Sequence, residues 1–122
     1  MRAAGRDRLI SLPRGYVVLH NNVHSRVRQR ANIAHELAHV ILDHPFTLPI
    51  DPTGSRNFDR DREDEANWLG PVILIPNEAA LYIVREALDS SSACAKYGVS
   101  SQLLQMRINA SGARIRIARS HH

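Results

Sequence analysis

Thiols are almost missing from this chain. Cys94 is the single cysteine in 122 residues, which excludes an internal disulfide and any zinc site assembled from several thiolates. A reducing, cytoplasmic compartment is the expectation that follows. Lysine is as scarce: Lys96 stands alone, so nearly every basic side chain is an arginine. The longest apolar run, Leu69 to Pro76, falls far short of the roughly 20 residues that cross a bilayer. No apolar segment follows the basic start from Met1 to Arg8, so no secretory signal is visible. Six glycines and six prolines are too few for a collagen-like or low-complexity chain. Internal repeats and blocks of five like charges are also lacking.

What is present has ordinary globular proportions, 43% apolar and 23% charged, and a length suited to one domain with a real core. The ending Arg119-Ser120-His121-His122 resembles a vector junction leading into a histidine tag, so residues 1–118 are taken as the domain. Sixteen basic residues, less that one arginine, against twelve acidic ones leave a net charge of +3. So small an excess on a mixed surface argues against nucleic acid as the partner.

Arg8 to Leu12 and Tyr16 to His20 read as two strands around the turn Pro13-Arg14-Gly15. Ser25 is placed to cap a helix running to about Asp43, which Pro45 ends. Residues 45–58 hold Pro45, Pro49, Pro52 and Gly54 and read as a long loop. A second helix is expected from near Asp59, with a kink or break at Gly70-Pro71. Val72 to Ile75 is ambiguous between helix and strand. Further helices are expected at about 76–88, 91–97 and 100–110, stopped by Gly98 and Gly112, and the alternation of Ile115 and Ile117 suggests a short final strand. The fold class expected is α+β: a mostly helical single domain with a small N-terminal antiparallel hairpin.

The sharpest chemical signal is His35-Glu36-Leu37-Ala38-His39, an H-E-x-x-H pattern inside a segment that independently reads as helix. Histidines four apart lie about 40° apart around a helix and one turn above each other, so both rings can reach one ion. Glu36 points into the same space, with a reach suited to a metal-bound water. Ile33, Leu37, Val40 and Ile41 are expected on the opposite, core-facing side. A chance pentapeptide on an amphipathic helix is the plain alternative, and a third ligand decides between them, because catalytic zinc takes three protein ligands and one open position. His44 lies nine residues after His35, about 180° around a continuous helix, with no glycine between it and His39 to turn the chain. It is read as satisfying the helix C-terminus. The second helix offers Glu63, Asp64 and Glu65, of which only one should face the metal. Glu65, followed by the small or apolar Ala66, Leu69 and Gly70, is well placed for it, while the acidic cluster also suits a helix N-terminus.

Three stretches together carry a resemblance. They are Arg30-x-Asn32-Ile33-Ala34-His35-Glu36-Leu37-Ala38-His39-x-x-Leu42-x-His44, then Glu63-x-Glu65-Ala66-Asn67-Trp68-Leu69-Gly70, then Leu74-Ile75-Pro76. The chain resembles the ImmA/IrrE family of metallo-endopeptidases over most of residues 8–112, and Tyr97-Gly98-Val99-Ser100, Leu103 and Arg107-Ile108 are similar to its helical C-terminal part. The resemblance implies a zincin-like (gluzincin) core, with zinc held by His35, His39 and Glu65 and Glu36 as general base. It also implies a protein substrate, a helix-turn-helix repressor inactivated by a phage or mobile-element protein. The family's preceding helical region is short or missing here, and Pro71 interrupts a stretch usually read as helix. The long extra domain of radiation-response members is absent, so a regulatory role does not transfer.

Negative charge developing on a scissile carbonyl needs a donor beyond the metal. Tyr16, His20, His24, Tyr82 and Tyr97 are candidates; the last two tyrosines read as core aromatics, which leaves His20 and His24 ahead. Asn67 or Asp43 is a candidate for orienting a ligand imidazole. Cys94, among small neighbours, reads as structural. Two other readings stay open: a zinc-fold module that inactivates a regulator by docking without cleavage, and an arginine-based nucleic-acid binder using Arg114 and Arg116. A two-His, one-Glu set also suits other divalent ions.

Overall fold

Ser25 starts the first helix as its residue type requires: its Oγ accepts a hydrogen bond from the Arg28 N–H at 3.3 Å, satisfying one of the donors that a helix start leaves open. The computed structural model describes residues 8–12, 15–19, 25–44 and 56–120. Its elements in chain order are β1 (Arg8–Leu12), β2 (Gly15–Leu19), α1 (Arg26–Ile41), α2 (Arg56–Leu74), α3 (Asn77–Arg85), α4 (Ser90–Tyr97), α5 (Ser101–Ser111) and α6 (Ala113–Ser120). Asp89 and Ser100 cap α4 and α5 through their side chains, and Gly98 and Gly112 end these helices in the left-handed region. The long loop expected at 45–58 lies mostly outside the described residues, as do His20 and His24.

The expected α+β, zincin-like class is corrected. From 25 to 44 and from 56 to 120 the chain is 83% helical and contains no strand or sheet, and the packing there is helix on helix. The short segments β1 and β2 run antiparallel to each other, Ile10 opposite Val17, and supply no strand to that body; two strands of five residues are marginal as an independent layer. Ile115 and Ile117, whose alternation suggested a strand, lie on α6.

Two further expectations are revised. α2 runs through Gly70-Pro71 without ending, to Leu74. Proline costs one helical hydrogen bond, but its fixed φ is helical, and the face of α2 beside it is held against α1. The buried face of α1 is also not the aliphatic one. Ala34 and Ala38 are buried, whereas Leu37 is 40% and Ile41 63% exposed. The reason is close approach. Ala66 and Gly70 of α2 are buried, and a Cβ on Gly70 would stand 3.3 Å from the His35 Cα. Only small side chains fit between backbones this near, so the larger aliphatics of α1 turn away.

The remaining helices gather around Ile75, Ile83, Leu104, Ile108 and the buried alanines 80, 93 and 113. Two arginines tie this cluster to the α1–α2 pair. Arg30 of α1 donates to the carbonyls of Gly98 (Nε, 3.2 Å) and Tyr97 (Nη2, 3.1 Å) at the end of α4. Arg107 of α5 is buried, and donates from Nε to the Ile75 carbonyl (2.7 Å) and from Nη2 to Asn77 Oδ1 (2.6 Å), pinning the corner between α2 and α3. Burial holds the Arg107 guanidinium below its ordinary pKa.

Two outcomes are expected. Gly70→Val overfills the α1–α2 contact and destabilises the protein by about 2 kcal/mol, read as a lower urea midpoint at unchanged slope. Asp89 accepts from the Ser92 N–H at 2.6 Å, and these bonds lower its pKa from 3.8. Its contribution is therefore fully present above the unfolded value and lost as pH falls through the folded one. Asp89→Ala lowers Tm at pH 7, and the gap to wild type closes in acid below about pH 4.

Candidate metal centre

The site is built where α1 and α2 lie antiparallel. His35 and His39 follow each other one turn apart on α1. Their Nε2 atoms are 3.2 Å apart, and both face the Glu63 carboxylate of α2: His35 Nε2 lies 3.2 Å and His39 Nε2 2.9 Å from Oε2. Ligand atoms of these three residues all lie within 4.8 Å of one another. His39 is the most enclosed, with its side chain 15% exposed against 25% for His35 and 53% for Glu63. Burial, outweighing the attraction of Glu63, lowers the His39 pKa from 6.5 and favours the neutral ring that a metal requires.

The donor set fits a divalent cation. Two nitrogens and a carboxylate oxygen are the ligand set of catalytic zinc sites such as thermolysin's, and zinc–ligand bonds of 2.0–2.1 Å in a tetrahedron separate ligands by about 3.3 Å. The separations here are close to that value.

The residues expected from the sequence fall out unevenly. His35 and His39 come together, and Glu36 lies half-buried beside them on α1. Glu65, expected as third ligand, stands elsewhere: its Oε1 lies 3.0 Å from His44 Nε2. Glu63 occupies the place expected for it. The signal was present in the helical spacing. Glu63 is seven residues before Gly70, about 20° off the same line on α2, whereas Glu65 lies about 140° away from it. The small residues Ala66 and Gly70 mark the face turned to α1, and Glu63 continues that face one turn further.

His44 is buried, 8% exposed, and does not simply cap the helix end. Asp43 takes a left-handed φ of 57°. The Asp43 N–H then reaches the Val40 carbonyl and the His44 N–H the His39 carbonyl, at 3.0 and 2.9 Å, the Schellman arrangement of a helix end. This turn folds His44 back, so that its Nδ1 lies 2.8 Å from the Nδ1 of His39. Asn67 lines a cavity of about 370 Å³ with Ala31, Asn32, His35, Leu74 and Leu103; the imidazole contacts expected of Asn67 or Asp43 are made by His44. Tyr82 and Tyr97 flank Lys96, its Nζ 4.9 and 6.0 Å from their ring centres.

No curated protein and no solved structure matches the chain. Residues 2–109 match the model of peptidase family M78, described as the IrrE N-terminal-like domain. The chain therefore belongs to the M78 peptidases, the ImmA/IrrE family, whose members are typically metal-dependent.

Proposed function

We propose that this protein is a zinc-dependent endopeptidase. The observation that carries the reading is the convergence of His35, His39 and Glu63 from two helices, with Glu36 in the same turn of α1. His35 and His39 would hold the metal through Nε2 and Glu63 through its carboxylate. When bound, zinc supplies Lewis-acid activation of water and of the peptide carbonyl. Glu36 is the general base: it takes the proton of the attacking water and returns it to the leaving amine as the C–N bond breaks. The cavity beside His35, apolar at Ala31, Leu74 and Leu103 and polar at Asn32 and Asn67, is suited to a side chain next to the scissile bond.

The substrate in this reading is a protein, and the resemblance to ImmA/IrrE proteins supports a helix-turn-helix repressor of a phage or mobile element. A cytoplasmic setting, in keeping with the lone Cys94, belongs to the same proposal. Among the described residues no helix is long and apolar enough to cross a membrane.

The test is proteolysis of a candidate repressor by the zinc-loaded chain. Glu36→Gln should lower the cleavage rate by at least about 10²-fold, with one zinc per chain retained by elemental analysis. Cleavage should stop in excess chelator and return with added zinc. Full cleavage by Glu36→Gln removes the assigned base. An intact partner in a stoichiometric complex with wild type would instead establish docking without hydrolysis.

A further inference from the structure

The hydrogen bonds behind His39 form a directed chain. The two Nδ1 atoms of His39 and His44, 2.8 Å apart, need one proton between them, one ring donating and the other accepting. The far nitrogen of His44, Nε2, lies 3.0 Å from Glu65 Oε1. A carboxylate only accepts, so His44 carries its proton on Nε2. Its Nδ1 in the neutral ring is then a lone pair, and His39 must be the donor to it, from Nδ1. That leaves a lone pair on His39 Nε2, the atom that faces His35 and Glu63. Each link from Glu65 to His39 has one proton and one acceptor; at the far end the His39 lone pair faces the Glu63 carboxylate, itself only an acceptor, so a cation between the two is what completes the chain.

We propose that Glu65 and His44 are positioning residues, which hold His39 in its Nδ1–H tautomer and aim its Nε2 lone pair at a divalent cation. The inference rests on reading His35, His39 and Glu63 as the metal site, and assigns Glu65 a role through His39 in place of direct ligation. Two features favour a built device over a chance contact. His44 is 8% exposed, in a position set by the turn at left-handed Asp43. Glu65 is 57% exposed, so the buried ring relays the orientation inward from a carboxylate at the surface. Partners of this kind fix ring tautomer and ligand basicity at metal-binding histidines.

The test uses the full chain with zinc alone, competed against a chromophoric chelator, and long-range ¹H–¹⁵N spectra of the histidine rings in the zinc-free Glu63→Ala background, where no carboxylate competes for a proton on His39 Nε2. In that background His39 should be the Nδ1–H tautomer. Glu65→Ala and His44→Phe should keep one site per chain, bind zinc roughly 10- to 100-fold more weakly, and show mixed His39 tautomers. Glu65→Gln retains an acceptor for the His44 N–H and should stay near wild type. The Nε2–H tautomer at His39 in the Glu63→Ala background overturns the proposal, whether or not wild type binds zinc. Unchanged affinity and tautomer in Glu65→Ala and His44→Phe overturn it while leaving the metal site standing. Should Glu65→Gln lose zinc as fully as Glu63→Ala, Glu65 is itself a ligand and the relay is wrong. Failure of wild type to bind zinc counts against the metal site, and the ring spectra then decide the relay by themselves.

Discussion

α1 and α2 meet through alanines and a glycine, and nearly everything at the site follows from how near that lets them come. A Cβ at Gly70 would already crowd the backbone of His35. With the helices this close, the imidazoles of one and a carboxylate of the other reach a common point without extended linkers. A leucine-based contact would hold the axes further apart, and the same side chains would then have to span the added separation. The buried alanines contribute little apolar area of their own; what they confer is proximity.

The support for this pair comes from elsewhere in the chain. The large buried apolar residues gather among the C-terminal helices, around Ile75, Ile83, Leu104 and Ile108. Arg30 and Arg107 join the two regions by bonding backbone carbonyls at helix ends and corners. Carbonyls at such places lack helical partners, so each arginine supplies one, and at the buried Ile75 carbonyl this satisfies a group that burial would otherwise penalise. The division is physical: one region supplies rigidity, and the other leaves its polar groups turned inward at a half-exposed surface.

Much of this was legible in the residues. Ser25, Ser100, Gly98 and Gly112 marked helix limits through local chemistry that does not depend on the rest of the fold. His35, Glu36 and His39 could be read because their spacing is set within one helix. What one segment does not show lies where a second element decides. Leu37 and Ile41 read as a core face because they are apolar, yet the α2 backbone selects the small residues instead. Glu63 and Glu65 differ in which side of α2 they stand on, and the line through Ala66 and Gly70 runs to Glu63. His44 lies off the ligand face of a continuous helix, and the turn at Asp43 that brings it back is not marked by the usual glycine. Pro71 signalled a break, but local preference yields where a helix is held along its length.

His39 and Glu63 are 24 residues apart in the chain and meet only in the folded state. An ion shared by them is therefore a clasp across a wide loop as well as a chemical reagent. Unfolded polypeptide offers no such preformed cage, so whatever affinity the cage has is added to the resistance of the helix pair against opening. On the proposed reading, metal supply would govern how long the protein survives as well as what it can do, and a chain starved of the ion would come apart first at the seam between α1 and α2.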